Sequence, residues 1–324
     1  MTAQTGDIID ILLATYNGEA YLEEQLDSIA AQTHRDWRLI ARDDGSADRT
    51  SEILDAFRTR HPDKVVVLED RDGNLGLVQN YTRLMEHSYA PHAAFCDQDD
   101  VWIPEKLELS LAKMRELERE HGAETPLLVF TDLTVVDEEL KVVHDSFWRY
   151  QGLWPERCNA LNRLLLQNVV TGCTALMNRP LVEKATPVGP EAMVHDWWVV
   201  LVAAAFGVAG YIPQPTVLYR QHRRNLIGAK AVTVFNLPRR AIRVLTNYRA
   251  KQRAILAPFR QAKAFYDKYS GAITETHRFA AETFLRIPGE GFFHRIHLAL
   301  RCGCLPTGLI HKAAFLIICK GDYR

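Results

Sequence analysis

Neither of the common glycine-rich phosphate loops occurs in this chain: there is no G-x-x-x-x-G-K-[ST] and no G-x-G-x-x-G. Nucleotide binding in the manner of ATPases or dinucleotide-dependent dehydrogenases is therefore not expected. The six cysteines, Cys96, Cys158, Cys173, Cys302, Cys304 and Cys319, form no C-x-x-C pair and have no histidine at zinc-ligand spacing. Reduced thiols of a cytosolic protein fit that scatter better than a disulfide frame. The opening MTAQTGDIID carries acids where a secretory or transit signal needs Lys or Arg before an apolar run, so neither signal is expected. The longest apolar stretch, Trp197 to Ile212, stops about four residues short of the ~20 needed to span a membrane and contains glycines. It reads as a buried helix running into a turn and a strand. There is no internal repeat and no low-complexity tract.

What is present is a globular composition, 47% hydrophobic and 24% charged over 324 residues, which excludes a disordered or collagen-like chain. The net charge of -1 hides a division: residues 1–219 hold 19 Lys+Arg against 35 Asp+Glu, and residues 220–324 hold 20 against 5. The two parts are expected to meet different partners.

Short apolar runs alternate with helix-period segments through the first half. Strands are predicted at Ile8–Tyr16, Trp37–Arg42, Val65–Leu68, Ala93–Cys96 and Leu127–Phe130, with helices between them, the last running from Pro104 to about Glu120. That order implies a mostly parallel sheet with helices on both faces and a ligand crevice at the carboxyl ends of the strands. Beyond Asp145 aromatic residues thicken before a helix predicted over Asn159–Gln167. From about Val232 the pattern is helical, an apolar stripe broken at Pro258 and otherwise rich in Arg and Lys.

Acids stand at two strand ends. Asp97-Gln98-Asp99-Asp100, followed by Val101-Trp102-Ile103-Pro104, crowds three carboxylates that repel one another unless a cation offsets them. Hard Mg²⁺ or Mn²⁺, bound by one or two carboxylates plus phosphate oxygens, is one remedy; a solvated turn capping the helix at Pro104 is the other. Asp43-Asp44-Gly45-Ser46 with Asp48 includes a helix cap, but capping uses one side chain. A second carboxylate there can accept from the imide of uracil or thymine, or from a ribose hydroxyl. Asp196 opens an apolar helix, where an acid complements the dipole; His195, Trp197 and Trp198 around it favour a site, because indoles stack on sugar faces. His222 follows a strand-like Val217–Tyr219 and precedes basic Arg223-Arg224.

Several ordered motifs resemble family 2 glycosyltransferases of the inverting GT-A fold: Ala14-Thr15-Tyr16-Asn17-Gly18 with Tyr21–Ile29, Arg42–Ser46, Asn74-Leu75-Gly76 and Asp97–Trp102. His195–Trp198 and Tyr219–Lys230 are similar to the rhamnosyltransferase-like subgroup. The resemblance implies an α/β, GT-A-type, mostly parallel twisted sheet in a domain of residues 1–231, with a nucleotide-sugar half to about 132 and an acceptor half to 231. A helical basic region, 232–324, follows. It implies that Thr15, Tyr16, Asn17, Asp43, Asp44, Asn74, Asp97, Asp100 and Lys230 serve the donor nucleotide or its sugar. Asp99 and His222 would hold a divalent metal, Mg²⁺ or Mn²⁺. Asp196 would be the catalytic base, with Trp102, His195, Trp197 and Trp198 on the acceptor side. Where many relatives have Glu-Asp this chain has His195-Asp196, so only Asp196 carries over. The Gln-x-x-Arg-Trp signature of processive synthases is absent.

The implied reaction is transfer of a sugar, with L-rhamnose from dTDP-L-rhamnose ahead of a UDP-hexose, to a hydroxyl of a glycan or lipid-linked glycan. A nucleotidylyltransferase would need a Gly- and Arg-rich loop with Lys near the first strand, which Ala14–Glu19 lacks. A non-catalytic sugar-binding module leaves the acid clusters unexplained. The cationic, partly apolar end of the chain is expected either on an anionic membrane surface at the inner face of the cell membrane or in a homodimer contact. No nucleic-acid motif accompanies its charge.

Overall fold

A computed structural model of the chain describes residues 7–70, 72–223, 225 and 248–304. The predicted alternation is present: β1 (Ile9–Thr15), α1 (Leu22–Ala30), β2 (Trp37–Asp43), α2 (Thr50–Arg60), β3 (Val65–Val67), α3 (Leu77–Glu86), β4 (His92–Asp97), β5 (Val101–Trp102), α4 (Lys106–His121) and β6 (Leu127–Val136). Every residue of β1 is buried, which is why it reads as an almost continuous apolar run.

Strands β3, β2, β1 and β4 lie side by side and parallel. The sheet then turns mixed. β8 (Leu176–Asn178) runs antiparallel to both β4 and β6, and β9 (Val208–Arg220) parallel to β6. β5 joins β9 and β7 (Val142–His144) joins β6, each antiparallel. The inserted strands β5, β7 and β8 have two or three residues each, too few to show a period in the sequence.

Side chains of β1 alternate between two cores. Ile9, Ile11 and Leu13 meet α1, α2 and α4 through Leu26, Leu54, Phe57 and Leu111. Leu12 and Ala14 share the other core with Leu84 of α3 and with α8 (His195–Phe206). That helix is buried almost all round, because α9 (Tyr248–Tyr269), α10 (Glu275–Arg286) and α11 (Phe292–Cys302) add Phe259, Phe265, Tyr269, Phe284 and Leu298 to the same core. Pro258 lies inside α9 and does not break it, contrary to the sequence expectation.

The helix predicted over Asn159–Gln167 shrinks to α6 (Leu161–Leu164), after the short α5 (Phe147–Gln151) and before α7 (Arg179–Ala185). Asn159 is held out of it by a reciprocal pair of bonds: Nδ2 donates to the Ala209 carbonyl at 2.8 Å and Oδ1 accepts from the Ala209 N–H at 2.7 Å. Lys230, the onset of the basic region near Val232 and the last twenty residues lie outside the described residues. Among the described residues no helix is long and apolar enough to cross a membrane.

Candidate active site

Parallel pairing sets the strand ends in one row. Thr15 is in register with Asp43 and Ala14 with Asp97, so the acids of β2 and β4 flank the end of β1.

Asp43 and Asp44 face different tasks. Asp44 is 3% exposed and accepts from Arg42 Nη1 at 2.7 Å and from the N–H groups of Leu75 and Gly76 at 2.7 and 2.8 Å. Arg42 is buried too, and its Nε and Nη2 clasp Asp70 at 2.7 and 2.9 Å, which raises its pKa and lowers that of Asp70. Asn74 Nδ2 donates to the Asp44 carbonyl at 3.0 Å. Gly73 and Gly76, at φ 64° and 75°, supply the left-handed bends of this turn. Asp44 and Asn74 thus fasten the glycine-rich turn. Asp43, half-buried, accepts from Thr15 Oγ1 and the Ser46 N–H, both at 2.9 Å, and from Ser46 Oγ at 2.5 Å. Beside it Tyr16 is 50% exposed, its backbone clamped by Gln98 through bonds of 2.8 and 3.1 Å. Asn17, at φ 49°, receives the Ala47 N–H and donates its own N–H to Ser46.

The β4 turn is electrostatically harsher. Asp97 accepts from Tyr81 Oη at 2.7 Å; burial and then the charge of Asp99 push it up to about 6, with the Tyr81 bond opposing. Asp100 is fully buried and pushed well above the carboxylate range, first by burial, although the Arg220 N–H donates to it at 3.2 Å. Ligand atoms of Asp97, Asp100 and Cys173 lie within 4.8 Å of one another. Lys106, also fully buried, is pushed down to about 8 by burial while the charges of Cys173, Cys96 and Asp100 oppose that shift. Lys106 Nζ makes no hydrogen bond among the described residues, so it acts on this inner cluster through charge alone.

Asp99 lies outside it. Its Oδ2 is 2.8 Å from His222 Nε2, and the His222 ring lies tilted with its centroid 4.8 Å from that of Tyr21. An oxygen and an imidazole nitrogen side by side are a donor set that suits Mn²⁺ or Mg²⁺, whereas the thiol of the inner cluster suits softer ions. Arg220 secures this corner. Its Nε donates to the Asp99 carbonyl at 3.0 Å, Nη1 to the Glu138 carbonyl at 2.6 Å and Nη2 to the Glu24 carboxylate, with the guanidinium 4.6 Å over Tyr21.

Asp196, second in α8, comes to the same end of the sheet. Asn168 Nδ2 donates to its Oδ1 at 3.1 Å and the Gly172 N–H to its Oδ2 at 2.7 Å. Burial, and next the charge of Asp97, raise it to about 7 against those donors. A Cβ on Gly172 would stand 2.9 Å from His195 Nε2 and 3.3 Å from Asp196 Oδ2, so the turn before β8 can approach only as glycine. A half-buried carboxylate poised near neutrality has the properties of a general base.

Four side chains expected on the acceptor side lie in the interior instead. His195 is 3% exposed, stacked 3.6 Å from Tyr81 and edge-on to Phe95, and burial pushes it down to about 3, so it is neutral. Trp197 and Trp198 direct their indole N–H groups to the Leu164 and Ala185 carbonyls at 2.6 and 3.0 Å, and Trp198 packs on Phe265 and Tyr269. Trp102 is 3% exposed with Lys106 Nζ 4.3 Å over its ring. Apolar helix spacing had a simpler meaning here than sugar stacking. Sequence reasoning missed Tyr81, Asn168, Gly172 and Arg220. The only signal for Arg220 was its place in the Tyr219–Lys230 segment, and Asn168 gave none.

The family model for glycosyl transferase family 2 matches residues 10–184, more than half of the chain. The dTDP-rhamnosyl transferase RfbG of Shigella flexneri is 27% identical over 229 residues, covering 67% of this chain and 74% of that protein. An uncharacterized glycosyltransferase of Nostoc is 25% identical over 224 residues, covering 67% of this chain and 66% of its own length. Among solved structures, S. aureus TarS 1-349 in complex with UDP-GlcNAc aligns with a TM-score of 0.52 at 13% identity, with 92% of each chain covered. At that identity the likeness is one of fold.

Proposed function

The chain belongs to glycosyl transferase family 2, and from that premise we propose that it moves a sugar from a nucleotide-diphosphate donor to an acceptor hydroxyl with inversion. The observation that carries the reading is the meeting of Asp196 with the β4 turn, close enough for the charge of Asp97 to help raise Asp196 to about 7. Asp196 takes the proton of the attacking hydroxyl, and Asn168 and Gly172 hold its oxygens in place. Tyr16 and Asp43 border the base, with Thr15 and Asn17 shaping that wall, and Asp97 faces the donor sugar or ribose. Asp99 and His222 hold Mg²⁺ or Mn²⁺, which when bound neutralises charge on the departing diphosphate.

For the donor, dTDP-L-rhamnose is the preferred reading, supported by the name of the Shigella relative. A UDP-hexose is the second, favoured by the UDP-GlcNAc held on the TarS fold. A thermal-shift panel of nucleotide sugars with and without Mn²⁺ tests both, because a donor at 100 times its dissociation constant adds ~2.7 kcal/mol of stability. No stabilisation by any nucleotide sugar would remove the reading.

The acceptor is a glycan or lipid-linked glycan, met at the inner face of the cell membrane in the cytoplasm. Support comes from α11, where Phe293 is 84% exposed, Leu300 62% and Phe292 43%, beside Arg301. Short amphipathic helices with cationic flanks lie in the interface of a membrane. Flotation with anionic against neutral liposomes tests this; equal recovery in the soluble fraction at low salt would assign the face to a homodimer contact.

A further inference from the structure

Two arginines on the acceptor side have no part in the site described so far. Arg157 and Arg163, both half-buried, line one notch with Leu164, Leu166, Gln167 and Val169. Several other half-buried or buried arginines are paired with carboxylates: Arg38 with Asp10, Arg42 with Asp44 and Asp70, Arg179 with Glu183 and Arg220 with Glu24. Arg157 and Arg163 have no carboxylate partner among the described residues. Partial burial of an unpaired guanidinium is costly, and apolar walls such as Leu164 and Val169 strengthen its pull on an anion.

The notch adjoins the proposed base through its own wall. Gln167 and Val169 flank Asn168, whose Nδ2 donates to Asp196 while its Oδ1 accepts from the Val170 N–H at 3.0 Å. At one end Arg157 lies 5.3 Å over the ring of Trp154, which is 53% exposed and leaves an aromatic face to solvent. The enclosed space is about 20 Å³, room for one oxygen-sized group and far too little for a sugar ring.

We propose that Arg157 and Arg163 form an anion-binding notch that holds an oxyanion of the acceptor while a sugar ring of that acceptor lies toward Trp154. Guanidinium forks match phosphate and carboxylate oxygens. The acceptor class is therefore anionic: a phosphate- or diphosphate-bearing glycan, or one carrying a uronic acid. Calling the anion the acceptor's rests on the transferase reading; the binding itself does not.

The test uses the full chain in EDTA, where the carboxylates of the donor crevice repel anions, and follows melting temperature against inorganic phosphate and, separately, glucuronate. Sodium chloride at matched ionic strength is the control. Phosphate or glucuronate should raise the melting temperature beyond that control, and the one with the greater effect names the source. In the Arg157→Gln/Arg163→Gln double variant the apparent affinity should fall at least about tenfold, the loss expected for removing charge-assisted hydrogen bonds. Arg157→Lys/Arg163→Lys, which keeps the charge without the fork, should retain part of the shift and shows that the site rather than the fold is at issue. Equal shifts in the wild type and the Gln variant, or none in the wild type, would overturn the notch. Manganese-dependent hydrolysis of nucleotide sugars by the wild type is measured in parallel: its absence alongside intact phosphate binding would count against the transferase reading and leave the notch standing.

Discussion

The ends of β2 and β4 look alike in sequence, an apolar strand closing on adjacent acids, yet they differ in how those acids are satisfied. Asp44 has a buried arginine and two backbone N–H groups. Asp97, half-buried, accepts from Tyr81, and Asp100, fully buried, accepts from the Arg220 N–H, yet the ionised forms of both are disfavoured. The first end is a fastener; the second is electrostatically loaded, and α8 delivers Asp196 into its field. What separates a structural acid from a reactive one is therefore the supply of donors around it, not the spacing of carboxylates along the chain.

The largest effect should come from the loaded end. Asp196→Asn is expected to reduce kcat by about 10²–10⁴-fold with donor affinity intact, measured by single-turnover transfer. A variant that instead lost mainly stability would make Asp196 a helix-dipole partner and erase the contrast with Asp44.

This contrast also marks what was legible in the sequence. The parallel core was, since β1, β2 and β4 are apolar runs long enough to show themselves and the acids follow them directly. The short strands β5, β7 and β8 were not. For the site, the carboxylates could be named, but their donors could not: Leu75 and Gly76 act through backbone N–H groups, and Asn168 reaches Asp196 across 28 residues. The tryptophans misled because an indole near an acid is compatible both with a sugar platform and with a core. Burial of ten of the twelve α8 residues, both tryptophans among them, decides for the core.

At the fastened end, Asp44→Asn should cost about 1–3 kcal/mol of stability, the usual penalty for leaving buried donors short of an acceptor, since Arg42 keeps Asp70. Chemical denaturation gives that number. Turnover by the folded fraction should fall much less than for Asp196→Asn; a comparable fall would mean both ends are reactive.

A smaller effect is expected at the metal corner. Arg220→Lys cannot span the Asp99 and Glu138 carbonyls and Glu24 together, so Mn²⁺ affinity read by electron paramagnetic resonance should weaken about tenfold. Glu24→Gln, at a side chain 56% exposed and so tolerant of change, should act in the same direction but less. Unchanged Mn²⁺ affinity in both would reduce Arg220 to a packing role.

The last effect is thermodynamic. Because the folded pKa of Asp196, about 7, lies above its unfolded value, its contribution to stability is present at low pH and is lost as pH rises through 7. Asp196→Asn lacks that loss. Its melting temperature relative to wild type should therefore climb between about pH 4 and pH 8, while a constant difference would place Asp196 in an ordinary solvated setting.

The most direct test is the single-turnover rate from pH 5 to 9 at saturating donor and Mn²⁺. For a base held at about 7 by burial and Asp97, the rate should rise about tenfold per unit on the acid side and level off above neutrality. In Asp196→Asn this limb should vanish. A wild-type profile that is flat across this range, or a limb that survives in Asp196→Asn, would contradict the assignment of the base.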